Sequence, residues 1–348
     1  MTKKPLLGKT LVELQDVCLQ LSMPKFTAMQ IAQWLYQKHV RSIDEMTNIS
    51  KQNRELLASH YEVGCSDPVE AKRSKDGTVK YLFRTGDGKF VETVYIPDSE
   101  RATLCVSCQV GCKMSCLFCQ TGKQGWQGNL TPTDILNQIY SVEKADTLTN
   151  IVYMGQGEPL DNLDNVMLSL DILTADYGYA WSPKRITVST VGLKNNMRRL
   201  LEETNCHIAL SLHSTIHEQR LQMMPAEKQF MAEDIVKLLR QYDWSHQRRL
   251  TFEYIMFGGI NDSNLHAKQL VKLLNGLECR INLIRWHKIP GVNLNESDAE
   301  RITAFRDYLN NHGMTCTIRA SRGQDIYAAC GLLSTQEMKS EESLARPS

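Results

Sequence analysis

Gly111-Cys112-Lys113-Met114-Ser115-Cys116-Leu117-Phe118-Cys119-Gln120-Thr121-Gly122 is the stretch on which the reading of this chain turns. Three cysteines share one short, glycine-flanked loop, and Cys105 and Cys108 stand just before them. Five of the eleven cysteines thus fall within 15 residues, where even spreading would place about 0.5. An odd total, clustered in this way, argues against a disulfide framework and for a reducing compartment. Three thiolates on one loop can ligate three irons of a cubane and leave the fourth iron open to a small molecule. The alternative is a closed zinc site, which needs a fourth ligand and could recruit Cys105 or Cys108. Cys18, Cys65, Cys206, Cys279 and Cys316 lie in apolar or helical patterns and read as small core residues.

Outward from the loop, short apolar runs alternate with helical periodicity. Strands are expected at residues 103–106, 150–154, 185–189, 207–212, 250–256 and 280–284, with helices at 132–143, 165–174, 194–203, 232–242 and 264–275. Six such units predict an α/β fold, a parallel, partly closed (β/α)6 barrel over residues 101–334, with its site at the carboxyl ends of the strands. Upstream, Val79 to Arg84 and Phe90 to Ile96 flank Gly86-Asp87-Gly88 as a β-hairpin within a linker region, residues 66–100. Residues 1–65 read as a small helical domain: Thr10 with Glu13 and Thr27 with Gln30 have capping-box spacing, and a third helix covers Lys51 to His60. The polar residues 335–348 read as a disordered tail.

The formal net charge is +1, yet residues 1–90 hold 14 Lys/Arg against 10 Asp/Glu and the remainder 26 against 29. A mildly basic amino-terminal part fits a phosphate-rich partner, or simply a solvated helical surface. No apolar run is long enough for a membrane span or a signal-peptide core, so a cytoplasmic protein without a membrane partner is expected.

The spacing Cys112-x-x-x-Cys116-x-x-Cys119, with Phe118 beside the last cysteine, resembles the signature of the radical S-adenosylmethionine superfamily. That resemblance implies a 4Fe-4S cluster on Cys112, Cys116 and Cys119, S-adenosylmethionine on its open iron, and an external electron donor such as flavodoxin or ferredoxin. Gly155-Gln156-Gly157-Glu158-Pro159 is similar to the superfamily's glycine-glutamate turn, which implies that Gly157 and Glu158 meet the cofactor's amino group. Period-two alternation puts Ser211 and His213 on one side of their strand, and Ser189 ends the preceding strand equivalently. Polar groups at such strand ends serve a barrel's site, or else only cap the strand.

Over nearly the whole length the chain resembles the RlmN family of bacterial dual-specificity RNA methyltransferases. The shared strings run from Val91 to Pro97, Cys105 to Ser107, Gln109 to Cys112, Arg185 to Thr190, Ser211 to His213, Phe252 to Tyr254 and Arg322 to Gly331. The resemblance implies methylation of carbon 2 of an adenosine in 23S rRNA, near the peptidyl transferase centre, and in tRNA next to the anticodon. It further implies two S-adenosylmethionine molecules per turnover, with Cys330 carrying a methyl group and then a covalent bond to RNA, Cys105 resolving that bond through a transient disulfide, and Glu92 as the base; Arg322 would favour the Cys330 thiolate. Ser189, Ser211, Leu212, His213 and His287 are implied as cofactor contacts. His287 stands where the family has asparagine and Cys108 where it has serine, so Cys108 is read as a bystander. RNA would dock on the basic amino-terminal residues Lys3, Lys4, Lys9, Lys25, Lys38, Arg41, Lys51 and Arg54, with the chain acting as a monomer. Two rivals stand beside this reading: methylation at carbon 8 of the same adenosine, and a non-catalytic RNA-binding protein with a structural zinc.

Overall fold

The computed structural model describes residues 3–245 and 248–335; the tail from residue 336 onward lies outside the described residues. Helix α1 (Leu11–Gln20) starts in a capping box, the Thr10 hydroxyl accepting from the Glu13 amide while the Glu13 carboxylate accepts from Thr10. At α2 (Thr27–Tyr36) the expected box does not form. A turn from Pro24 already winds the chain there, so Pro24, Lys25 and Phe26 carbonyls satisfy the first amides and Thr27 is buried in the first turn. Helix α3 (Lys51–His60) is capped by Ser50, and Lys4–Pro5 pairs in parallel with Tyr61–Glu62.

One ten-stranded sheet follows. Strands β1 (Glu70–Arg73), β2 (Val79–Arg84), β3 (Phe90–Pro97) and β4 (Ala102–Cys105) are antiparallel neighbours. After β4 come α4 (Gln120–Gln124), α5 (Pro132–Tyr140), β5 (Asn150–Tyr153), α6 (Leu163–Thr174), β6 (Ile186–Thr190), α7 (Lys194–Glu203) and β7 (His207–Ser211). Then follow α8 (His217–Met223), α9 (Ala232–Leu239), β8 (Leu250–Met256), α10 (Asn264–Leu274), β9 (Arg280–Arg285), α11 (Ala299–Asn311) and β10 (Thr315–Ile318). From β4 to β10 every neighbouring pair is parallel, and spatial order equals chain order. All loops leaving these parallel strands therefore emerge at one end.

The six expected parallel strands are present. Three features exceed the expectation: the hairpin gains a third strand, β1; its β3 pairs with β4, Val94 opposite Cys105, so hairpin and barrel are one sheet; and α11 with β10 adds a seventh parallel strand. The helical segment shares the sheet's buried core, which runs without interruption from Leu6 to Cys316. Tyr36 packs on Tyr179, His39 meets the ring of Tyr140 edge-on, the Tyr140 hydroxyl donates to the Val40 carbonyl, and Thr133 donates to Leu7. Among the described residues no helix is long and apolar enough to cross a membrane.

The buried Tyr140 hydroxyl donates to Val40's carbonyl across this junction, so Tyr140→Phe, which orphans that carbonyl, is expected to destabilise the protein by about 1–3 kcal/mol. The midpoint of urea unfolding measures it; an unchanged midpoint would show that the two segments do not unfold together.

Candidate active site

Two polypeptide segments approach each other at the open end of β4 and β5. The turn Gly155 to Glu158 lies against residues 106–109 so closely that a Cβ on Gly155 would meet Ser107 Oγ at 2.5 Å, and one on Gly157 would meet the Gln109 amide nitrogen at 2.7 Å. Glycine is required at both places, and Gly157 also has φ +104°. Gln109 fixes the turn by accepting from the Glu158 amide at 2.9 Å while donating to Asp161 at 2.7 Å. The Glu158 carboxylate accepts from Thr190 Oγ1, the Val191 amide and the Leu160 amide. Burial pushes it up to about 7, against the pull of these three donors.

A cavity of about 150 Å³ opens beside the turn, lined by Cys112, Cys116, Cys119, Phe118, Gly157, Glu158, Ser189, Ser211 and His213. Ser211, the last residue of β7, and His213 both face the cavity, although His213 lies past the strand's end; Leu212 is fully buried, with its carbonyl accepting from Arg220 Nε. Leu212 therefore offers the cavity no side chain. His213 has φ +56°, and Asn261 holds its carbonyl. The Ile255 amide donates to its Nδ1 at 3.1 Å, which leaves the ring proton on Nε2. Arg220, without solvent exposure, donates to the carbonyls of Leu212, Ser211 and Val191 and pairs with Glu227, tying together the chain ends that carry Ser211, His213 and Val191.

A second cavity, about 290 Å³, holds Cys105 and Cys330 together with Arg319, His287 and Arg322. Cys330, Gly331 and Arg319 line both cavities. Burial pushes the Cys105 thiol up to about 12; Cys330 is exposed. The guanidinium that faces both thiols is Arg319, which the Cys330 charge above all holds protonated, whereas Arg322 reaches Asp98 at 3.8 Å. Arg319 stands 3.8 Å from Glu253 Oε2, a buried oxygen without a hydrogen-bond partner among the described residues, and Glu253 lines the first cavity. His287 lies in the second cavity, bonded to Ser321 at 2.9 Å, and not in the cavity of the three cysteines.

Glu92 occupies a third cavity of about 540 Å³, across the segment 328–333 from the two thiols. One carboxylate oxygen accepts from Lys80 at 2.8 Å and the other from the Ser334 amide at 2.8 Å. Burial raises its pKa, with Lys80 pulling the other way.

The segment that bears Cys330 is pinned to the cysteine loop: the Gln120 amide donates to Gly331, Thr121 Oγ1 to Leu333, and Gln124 bonds Thr335. With this geometry the comparisons agree. Residues 106–270 match the Radical SAM superfamily, and residues 4–63 match the ribosomal RNA large subunit methyltransferase N-terminal domain. A probable dual-specificity RNA methyltransferase RlmN of Bacteroides thetaiotaomicron is 62% identical over 97% of this chain and 98% of its own length. The chain belongs to the RlmN family of RNA methyltransferases. The dual-specificity RNA methyltransferase RlmN of Desulfotalea psychrophila is 42% identical over 93% of each chain. The crystal structure of a radical SAM methyltransferase from Sphaerobacter thermophilus superposes with TM-score 0.89 at 38% identity, covering 94% of this chain and 98% of that one. A non-catalytic RNA-binding protein is thereby set aside.

Membership of the radical SAM superfamily implies a 4Fe-4S cluster and S-adenosylmethionine. The donor set fits the cluster: Cys112 and Cys116 are buried and Cys119 half-buried, and desolvation raises all three thiols, Cys112 to about 12, so that they favour the protonated form unless a cation takes the proton's place. Among the described residues no three such side chains converge on a single ion, and a cluster that takes one thiolate per iron does not require it. Neither Cys105 nor Cys108 lines the three-cysteine cavity; Cys108 is buried in the main core. Sequence reasoning passed over Arg319, Glu253 and Arg220. Glu253 had a readable signal, a carboxylate near the end of the apolar run Leu250 to Met256.

Burial, and secondarily Arg220, lowers His213 from 6.5 to about 3, so the folded chain keeps it neutral. The unfolded chain takes up that proton as pH falls below 6.5, so this share of stability, full above pH 6.5, is lost on the way down to about 3. His213→Gln is expected to flatten the fall of Tm between pH 6.5 and the acid limit of folding; parallel slopes would exclude a neutral buried imidazole.

Proposed function

We propose that this RlmN-family methyltransferase methylates carbon 2 of an adenosine, in 23S rRNA at the peptidyl transferase centre and in tRNA next to the anticodon. The observation that supports this most is the position of Cys330, which lines the cavity of the three cysteines and also the cavity of Cys105. Carbon 2 is neither nucleophilic nor appreciably acidic, so a general base alone cannot activate it. The cluster and S-adenosylmethionine, when bound, supply a 5′-deoxyadenosyl radical. In this reading Cys112, Cys116 and Cys119 hold the cluster, while Gly157, Glu158, Ser189, Ser211 and His213 line the space for the cofactor, of which two molecules serve one turnover.

Cys330 receives a methyl group on its thiolate, favoured by Arg319, and the carbon then joins protein to RNA. Glu92 accepts the proton of carbon 2, the adduct's surplus electron would return to the bound cluster, and the Cys105 thiolate attacks the Cys330 sulfur; the bond from that sulfur to the methylene carbon breaks, the carbon takes up a proton to become the product's methyl group, and a Cys105–Cys330 disulfide remains. His287, with Ser321 and Gln324 around it, serves the thiol cavity in this scheme. The flipped base suits an RNA loop, and the exposed Lys3, Lys4, Lys25, Lys38, Arg41 and Lys51 of the helical segment would meet its phosphates. We take the chain to work as a monomer in the cytoplasm, where its RNA substrates are, with an external flavodoxin or ferredoxin as electron donor. Carbon 8 methylation is the competing outcome, and mass analysis of the modified nucleoside against 2-methyl and 8-methyladenosine standards separates the two.

Alanine at Cys112, Cys116 or Cys119 is expected to abolish iron binding and deoxyadenosine formation, whereas Cys108→Ala keeps both; iron analysis after anaerobic purification reads this. Loss of iron in Cys108→Ala with retention in Cys112→Ala would refute the ligand assignment.

The two thiols are expected to fail differently. Cys330→Ala forms no product and no adduct, while Cys105→Ala accumulates protein joined to labelled RNA on denaturing gels. Full turnover by Cys105→Ala would end the two-thiol scheme.

A further inference from the structure

Lys80 and Glu92 are the buried ion pair that the reaction scheme leaves half explained. They sit on adjacent strands one step apart on the same face: Lys80 is opposite Val94, and Glu92 opposite Leu82. Their side chains are 12% and 8% exposed, and Nζ lies 2.8 Å from Glu92 Oε1. The same Nζ donates to the Tyr327 carbonyl at 3.4 Å, three residues before Cys330. Tyr327 has φ +54°, a conformation that a bulky side chain rarely adopts, yet its ring is exposed. Its backbone is thus held where Lys80 can reach it.

We propose that Lys80 is a positioning residue that keeps Glu92 in its proton-accepting form and fixes it relative to the loop carrying Cys330. The proposal rests on the reading of Glu92 as the base. In the proton step the C–H bond at carbon 2 breaks, its electron pair stays on the adenine ring, and the proton goes to a Glu92 oxygen. Once Glu92 is neutral, the adjacent Lys80 ammonium favours release of the acquired proton to solvent.

The electrostatics support the assignment. Burial pushes the Glu92 carboxyl towards its protonated form and Lys80 pulls it back towards the carboxylate, the only form that can act as a base. The charged groups around the cavity are Glu70, Lys72 and Arg73 of β1, Lys80 of β2, Lys288 after β9 and Asp325. Lys72 is turned to Glu70 at 3.4 Å, Arg73 pairs with Glu143, and Asp325 accepts from Ser74 and the Lys75 amide. Lys80 alone of these touches Glu92, with Lys72 a weaker second pull.

The test uses Lys80→Met and Lys80→Arg in the full chain, first without cofactors. Glu92 is titrated by carbon-13 carboxyl NMR, with Glu92→Gln as the blank that identifies its signal. Its midpoint is expected to rise by about 1–3 pH units in Lys80→Met and to return close to the parent value in Lys80→Arg. In the reconstituted enzyme, Lys80→Met is expected to load methyl on Cys330 at the parent rate. It should release its RNA adduct at least about tenfold more slowly at pH 7, recover as pH rises, and slow further when carbon 2 carries deuterium. An unmoved Glu92 midpoint, slow release at every pH alike, or failure to load methyl would each overturn the role of Lys80. Unimpaired release by Glu92→Gln would instead remove Glu92 as the base, whatever the Lys80 variants do.

Discussion

Gln156 has no solvent exposure, and each polar atom of its backbone and side chain is bonded. Its amide donates to Ser107 Oγ, its carbonyl accepts from Cys108 and Gln109, its Oε1 accepts from Glu92, and its Nε2 donates to Gln124. Ser107 extends the net: its hydroxyl donates to the Glu92 carbonyl, and its backbone is doubly bonded to Gln138 of α5. The hairpin, the cysteine-bearing loop, the glycine-glutamate turn and α4 are thereby fixed to one another through a few residues. In a low-dielectric interior such a net is strong when complete and costly when broken, since each orphaned group there carries a desolvation penalty of about 1–3 kcal/mol. The placement of every candidate group, from Glu92 to Glu158, depends on it.

Around that net the chemistry is compartmented. The three cysteines and the polar ends of β5, β6 and β7 share one cavity, the two separate thiols another, and Glu92 a third. Residues 328–333 form the partition between the last two, with Leu333 packed on Cys105 and Val94. Arg319 and Cys330 belong to both of the first two, so the guanidinium sits where the cavity of the three cysteines meets that of Cys105.

The parallel strands were legible because buried strands leave apolar runs, and the cysteine loop because its spacing is dictated by metal geometry. Alternation along the strand reached Ser211, whereas His213 lies past the strand's end in a left-handed turn that the alternation does not describe. What stayed hidden depends on register and on distant packing. Lys80 meets Glu92 diagonally, which no local pattern gives; Arg319 follows a strand of four residues, Thr315–Ile318, too short and too polar to stand out. Helix α11 was readable, with Ile302, Phe305 and Leu309 on one face, and would have announced β10. The capping pattern at Thr27 misled because Pro24 had already begun the turn.

The bonds from Gln120, Thr121 and Gln124 to Gly331, Leu333 and Thr335 join parts of the chain that are made about 210 residues apart. At a synthesis rate of about 5–20 residues per second, on the order of 10–40 s separates the appearance of the cysteine loop from that of its covering segment. For that interval a nascent chain on the ribosome has its three cluster cysteines but neither Cys330 nor the strap over them. The site is thus completed only after residue 335 has been made, and the side that carries the three cysteines is most approachable before then.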